Sequence, residues 1–321
     1  MNITVIGCGR WGSLITWYLD HIGHRVTLYG RSTSPKMQAF LATRQNDLLT
    51  LPDSVALSTD LPATLAGAET VIISIGSQNL RSLLNQPELQ ALRDRTVVLC
   101  MKGLEMGTGE RLSVIAGSLL HESNTVAVWL GPGHVQEFYR GIPNCMVIDS
   151  ENDRVKRELV QSFSSDLIRF YYGSDMIGNE VGAAAKNVVG IAAGLLDGVE
   201  MSSLKGALMS RGTREVARLI RAMGGNELSA YGLCHLGDYE ATVFSPYSHN
   251  RQFGESFIRH QDYHRLAEGY YTVEALMVLS EKYGVELPIC RAVHNILYEN
   301  AEPREQLTLL LRRGLRSEFD D

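Results

Sequence analysis

The stretch Asn2-Ile3-Thr4-Val5-Ile6-Gly7-Cys8-Gly9-Arg10-Trp11-Gly12 decides how the first half of the chain folds. Asn2–Ile6 is short, apolar and rich in Ile, Val and Thr, the composition of a buried strand. It runs directly into G-x-G-x-x-G, and Trp11–His21 then carries a helical pattern. Strand, glycine turn and helix in that order are the context a dinucleotide site requires. The first glycine permits the tight turn, the second lets the backbone approach a pyrophosphate, and the third lets the helix pack closely. The helix N-terminus then faces the phosphates. Gly7, Gly9, Arg10, Trp11 and Gly12 are therefore candidate cofactor contacts.

Outward from this stretch, Arg25–Tyr29, Thr70–Ile75, Thr96–Met101, Thr125–Leu130 and Asn144–Ile148 read as further buried strands. Leu167–Tyr172 is the last such run. Helical patterns such as Leu80–Leu92 fall between several of them, and this alternation predicts a parallel doubly wound sheet. From Ser174 the pattern becomes almost wholly helical, over Glu180–Leu196, Lys205–Met223, Thr272–Tyr283 and Pro288–Tyr298. The fold class expected is α/β: a doubly wound Rossmann domain over 1–173, then an all-helical substrate and catalytic domain over 174–321. Gly232–Gly254, rich in Gly, Ser, Pro, His and Asn, reads as an ordered loop that carries chemistry. The charged tail Arg312–Asp321 is expected to fray.

Composition bounds the function. The 321 residues suffice for about two domains, and 45% hydrophobic with 21% charged residues exclude a disordered chain. A net charge of −6 argues against a broad basic face for nucleic acid, leaving only a local anion site. The five cysteines are odd in number, widely spaced and without CxxC, as expected of reduced core thiols in a cytoplasmic protein. Met1–Gly7 is too short for a signal peptide and lacks a basic start. Val181–Leu196 is interrupted by Lys186 and Asn187 and falls short of the ~20 apolar residues of a membrane span. No metal site is expected: His260 and His264 are spaced i, i+4 but lack the glutamate of H-E-x-x-H. No G-x-S-x-G nucleophile elbow occurs.

The second strand ends in Leu28-Tyr29-Gly30-Arg31, without the acidic residue that usually meets the ribose in NAD-selective sites. Arg31 suits a 2′-phosphate, or is simply an exposed loop arginine, so NADP(H), NAD(H) or both are expected. Two lysines stand in costly places. Lys102 follows the strand Thr96–Met101, at the sheet edge where ligands bind in this architecture; otherwise it is a surface lysine starting a turn. Lys186 lies in Glu180-Val-Gly-Ala-Ala-Ala-Lys186-Asn187-Val-Val-Gly, where small residues surround it on every helix face. A buried ammonium is expensive unless paired or put to use. Beside a second cation its pKa would fall and suit proton transfer; the alternative is a side chain that snorkels to the surface.

With these residues in view, the chain resembles the bacterial NAD(P)-dependent glycerol-3-phosphate dehydrogenase family over nearly its whole length. The likeness is carried by Gly7–Gly12, Lys102-Gly103-Leu104-Glu105, Gly131-Pro132 with Glu137, and Glu180-Val181-Gly182 through Ala185-Lys186-Asn187. Ser210-Arg211-Gly212, Leu236-Gly237-Asp238, Asn250-Arg251-Gln252-Phe253-Gly254 and Glu268-Gly269 extend it. The resemblance implies interconversion of dihydroxyacetone phosphate and sn-glycerol 3-phosphate for phospholipid synthesis, commonly by a homodimer. It implies that Lys186 gives a proton to the carbonyl oxygen as hydride arrives, that Lys102 contacts substrate and cofactor, and that Asp238 positions the lysine and the substrate hydroxyl. It further assigns Gly131, Gly133, Asn187, Thr242, Ser248, His249 and Asn250 to the substrate, and Val135, His249, Leu266 and Glu268 to the cofactor. By residue type alone, Asp238 and Asn250 equally suit turn formation.

Departures from the family pattern gather around the substrate. His249 stands where the family has arginine, and lacks the bidentate fork that grips a phosphate. Arg251 would have to reach inward to substitute. Gly133 replaces Ser or Thr, Cys234-His235 replaces Ala-Gly, and Asp197–Leu204 is one residue shorter than a Gly-rich stretch with an Asn. These changes keep two other readings open: a related oxidoreductase for another small 2-keto or 2-hydroxy compound, and a dinucleotide-binding regulator without turnover.

Overall fold

The computed structural model describes residues 1–312 together with Gly314 and Glu318; the tail expected to fray lies mostly outside these. The chain packs as two units. One comprises Met1–Met101 with Leu112–Met176, the other Lys102–Arg111 with Ile177–Asp321.

The first unit is built on one eight-stranded sheet in the order β3-β2-β1-β4-β5-β6-β7-β8. The strands are β1 Asn2–Ile6, β2 Arg25–Tyr29, β3 Ala56–Ser58, β4 Thr70–Ile73, β5 Thr96–Leu99, β6 Thr125–Leu130, β7 Asn144–Asp149 and β8 Ile168–Tyr172. In register, Val5 of β1 lies between Leu28 of β2 and Ile72 of β4. Strand order reverses at β1, and the end of β1 is the switch point where ligands bind in such sheets. Val5, Leu28, Ile72 and Val98 are fully buried, as strands covered on both faces require.

Two sequence expectations need correction here, and one strand was not foreseen. The sheet is parallel except between β6 and β7, which run antiparallel. Their connection holds only the five-residue helix Val135–Tyr139, too short to act as the packed crossover that joins parallel neighbours. The single helical stretch expected over Leu80–Leu92 is two helices, Leu80–Leu84 and Pro87–Gln90, because Pro87 has no N–H to give and starts a new helix instead. The three-residue β3 was too short to leave a pattern.

The second unit is organised around the helix Met176–Gly198, in which every residue from Glu180 to Leu196 is buried. A helix buried on all sides must be small on the faces its neighbours approach. A Cβ on Gly194 would strike the Arg251 carbonyl, and one on Gly254 the Ile191 carbonyl, so the helix His249–Ile258 crosses backbone against backbone. The helices Lys205–Ala222, Glu268–Tyr283 and Pro288–Tyr298 complete the unit's core, with Val216, Leu276 and Val293 among its buried members. Gly232–Gly254 is not the loop expected. It holds the helical turns Leu236–Asp238 and Glu240–Phe244 and the start of the helix His249–Ile258, whose N-cap Ser248 accepts from the Arg251 N–H.

Among the described residues, no helix is long and apolar enough to cross a membrane. The cysteines are free thiols. Cys8, Cys100, Cys234 and Cys290 are buried, whereas Cys145 is partly exposed and is not the core thiol expected.

Candidate active site

In the first unit, β1 ends in a turn that only glycine can make. Gly7 has φ +118°, and a Cβ on it would run into the Ser74 carbonyl oxygen. A Cβ on Gly12 would meet the Gly7 carbonyl, whereas Gly9 faces open space. Gly9 caps the helix Arg10–His21 with no side chain, and no acidic residue occupies the first turn. A helix N-terminus without a capping side chain or an acidic first turn favours an anion such as a dinucleotide phosphate. Arg10 donates to Gln136 at 3.3 Å, and the Trp11 ring lies 6.1 Å from that of Phe138. These contacts bring the segment of Gly131, Gly133 and Val135 to the glycine turn. Gly133 has φ +140°, and a Cβ there would enter the Phe138 ring. The backbone at Gly133 therefore admits only glycine. Arg31 is exposed just beyond the end of β2. An open cradle above Gly9, an uncapped helix terminus and a nearby exposed arginine fit a dinucleotide and its phosphates.

In the second unit, Lys102, Lys186 and Asp238 form one cluster. Asp238 is 1% exposed. Its Oδ2 accepts from Lys102 Nζ at 2.6 Å and lies 3.2 Å from Lys186 Nζ. Its Oδ1 is buried with no hydrogen-bond partner among the described residues. Lys186 donates to Thr242 Oγ1 at 2.8 Å, and Thr242 in turn donates to the Asp238 carbonyl at 2.7 Å. Lys186 is only 8% exposed and bonded inward, so it does not snorkel. Burial pushes its pKa down to about 8, with the Lys102 charge acting in the same direction and Asp238 opposing. Two ammonium groups around one carboxylate leave a net positive site that can protonate, and stabilise, an oxyanion.

Amides hold the cluster's supports together. Asn187 Nδ2 donates to the Lys102 carbonyl at 2.7 Å, and Asn250 Nδ2 donates to Asn187 Oδ1 at 3.0 Å. Asn250 Oδ1 accepts from the Gly269 N–H at 2.9 Å. Asn250 is thus a link between three helices, not a turn former. Glu268 sits in the first turn of the helix Glu268–Tyr283, and Leu266 is exposed just before it. Ser248 uses its hydroxyl as the helix cap. His249 is half-buried, with Nδ1 2.7 Å from the Tyr263 hydroxyl. Arg251 does not reach inward to replace the family's arginine. It is held by Asp197 at 2.6 Å, Glu255 at 3.2 Å and the Ser245 carbonyl at 3.2 Å.

The matching family models are the NAD-dependent glycerol-3-phosphate dehydrogenase N-terminus, over residues 2–156, and C-terminus, over 175–308. The chain belongs to the NAD(P)-dependent glycerol-3-phosphate dehydrogenase family. A glycerol-3-phosphate dehydrogenase [NAD(P)+] of Syntrophotalea carbinolica is 33% identical over the full length of both chains. One from Thermoanaerobacter sp. is 31% identical over 99% of each. The crystal structure of the Coxiella burnetii glycerol-3-phosphate dehydrogenase superposes with a TM-score of 0.90 at 27% identity, covering 97% of this chain and 99% of that one. A D-mandelate dehydrogenase, at 15% identity and a TM-score of 0.62, shares the fold alone. The chain is accordingly an NAD(P)-dependent dehydrogenase of the glycerol-3-phosphate type, and neither the altered-substrate reading nor the regulator reading is favoured.

Sequence reasoning missed several members of the site's framework. Arg111 and Glu180 form a 2.7 Å pair at side-chain exposures of 15% and 5%, tying Lys102–Arg111 to the long helix. Asp197 accepts from Lys205 and Arg251, both at 2.6 Å, joining the ends of three helices. Glu180 had a signal, an acid at the head of a run of small residues. Asp197 lay in a stretch flagged for its length and composition, not for an ion pair.

Proposed function

We propose that the cluster of Lys102, Lys186 and Asp238 reduces dihydroxyacetone phosphate to sn-glycerol 3-phosphate, and reverses the reaction, in the cytoplasm for phospholipid precursor synthesis. The single observation that carries this is the buried Lys186 ammonium, poised near neutrality between Lys102 and Asp238. NAD(P)H, held by the glycine turn Gly7–Gly12, would supply the hydride when bound. Lys186 gives its proton to the carbonyl oxygen, and Lys102 adds positive charge against the developing alkoxide. The unpartnered Oδ1 of Asp238 accepts from a substrate hydroxyl.

The domain of residues 1–173 holds the dinucleotide through Gly7, Gly9, Arg10, Trp11 and Gly12, with Val135 alongside and Arg31 at the ribose. The domain of residues 174–321 supplies catalysis, together with Lys102. Asn187 and Asn250 hold the lysine-bearing elements, and Thr242 orients Lys186. Gly131 and Gly133 offer backbone N–H groups to the substrate. Ser248 and His249 face its phosphate, His249 and Glu268 also serve the cofactor, and Leu266 packs on it. The working form is a homodimer, which light scattering would read directly.

Oxidation of NADPH and of NADH with dihydroxyacetone phosphate, beside the unphosphorylated ketone, tests the reading. Turnover should require the phosphate, and NADPH should be favoured if Arg31 meets a 2′-phosphate. Tight cofactor binding with no turnover on the phosphate ester would overturn it.

A further inference from the structure

We propose that His235 is a positioning residue for the Lys186–Asp238 pair, bridging the Gly182 carbonyl to the Tyr239 hydroxyl so that Asp238 is held in register with the lysine. The inference rests on the roles proposed above for those two residues. His235 is fully buried. Its Nδ1 lies 2.8 Å from the Gly182 carbonyl, which can only accept, so Nδ1 carries the proton. Nε2 is then a lone pair, 2.7 Å from the Tyr239 hydroxyl, which donates to it. The backbone adds a third tie, from the Asp238 N–H to the His235 carbonyl at 3.0 Å.

The placement makes this more than a core hydrogen bond. Gly182 lies one helical turn before Lys186 on the same helix. Tyr239 directly follows Asp238 and is fully buried, its ring 4.9 Å from the imidazole. One imidazole therefore spans from the helix that carries the lysine to the turn that carries the carboxylate. Gly182 leaves room for it, since a Cβ there would come within 3.0 Å of the His235 Cβ.

The bridge needs a neutral ring, because a protonated Nε2 could not accept from Tyr239. Burial drives the pKa down to about 4, Lys186 works in the same direction, and the Gly182 carbonyl and Asp238 oppose. Around Tyr239 stand Thr213, Glu215 and Cys290, and burial holds its hydroxyl protonated.

Two variants test it in the full-length enzyme. His235→Asn keeps a donor for Gly182 and loses the Tyr239 contact. Tyr239→Phe keeps the ring and loses only the hydroxyl. Each should lower kcat for dihydroxyacetone phosphate reduction about tenfold while leaving the Kd for NADPH unchanged. Each should also move the alkaline midpoint of kcat below that of the unaltered enzyme, because a displaced Asp238 supports the Lys186 ammonium less. The double variant should lose no more than the worse single one, as members of one unit do. Unchanged kcat and midpoint in folded variants would overturn the proposal, as would a fall in Tm alone or losses that multiply. Lys186→Ala separates this failure from that of the underlying reading. If Lys186→Ala is inactive and the bridge variants are normal, only the role of His235 fails; if Lys186→Ala retains turnover, the catalytic assignment fails with it.

Discussion

At the scale of single residues, Lys186 was the most legible feature. A lysine among glycines and alanines has nothing long beside it to lift it to solvent, and it is indeed buried against Asp238 and Thr242. Replacing it with alanine should reduce turnover by about 10²- to 10⁴-fold, the usual worth of a positioned acid or base, with cofactor affinity retained. Steady-state rates beside a fluorescence titration with NADPH would check both halves. His249 is the second test. The resemblance implies an arginine at this position, and Arg251 is tied to Asp197 and Glu255. His249→Arg should tighten dihydroxyacetone phosphate binding about ten- to hundredfold, the worth of about 1.5–3 kcal/mol for one charge-assisted contact. A KM that does not fall would show that His249 is not what weakens the phosphate site. Gly133→Ser, which restores the family's hydroxyl, should instead lower Tm, because its φ of +140° and the Phe138 ring exclude a side chain.

At the scale of elements, the long helix Met176–Gly198 and the excursion Lys102–Arg111 decide where the lysines stand. Arg111 and Glu180 pin that excursion to the helix. Removing one member of a charge-assisted hydrogen-bonded pair costs about 1.5–3 kcal/mol. Glu180→Ala should therefore lower stability by about that much in urea unfolding, and should weaken substrate binding through Lys102; full stability would mean that the pair is not what secures the excursion. Gly194→Val should be more damaging still, since its side chain would enter the Arg251 backbone. Most strands and long helices were readable, because a run such as Val71–Ile73 or a periodic stretch such as Pro288–Tyr298 has one physical solution. What escaped was set by contacts distant in sequence. The antiparallel entry of β7 and the helical turns within Gly232–Gly254 have weak local patterns, and neighbours decide them; the break at Pro87 is the exception, since the proline itself is a local signal. The same holds for the site: the lysines and Asp238 could be named, but not that one carboxylate oxygen serves both ammonium groups.

At the scale of the whole molecule, pH links stability to chemistry. His235 is held neutral, with its pKa lowered from 6.5 to about 4. Above pH 6.5 the ring is neutral in both folded and unfolded chains, and its contribution to stability is fully present. As pH falls from there towards about 4, the unfolded chain takes up the proton first and that contribution is lost. The loss amounts to about 3 kcal/mol for a shift of this size. Unfolding free energies between pH 7 and 4 should fall less steeply in His235→Asn than in the unaltered protein. Equal slopes would place the acid sensitivity elsewhere.

Catalysis shows the opposite edge of the pH range, through Lys186. Reduction needs the ammonium, so kcat with dihydroxyacetone phosphate should fall as pH rises through about 8, while oxidation of sn-glycerol 3-phosphate, which needs the free amine, should rise over the same interval. Measuring both directions across that interval tests the central claim most directly. Mirror-image profiles that cross near pH 8 would identify Lys186 as the group that moves the proton. Profiles that are flat through this range, or that survive in Lys186→Ala, would contradict it.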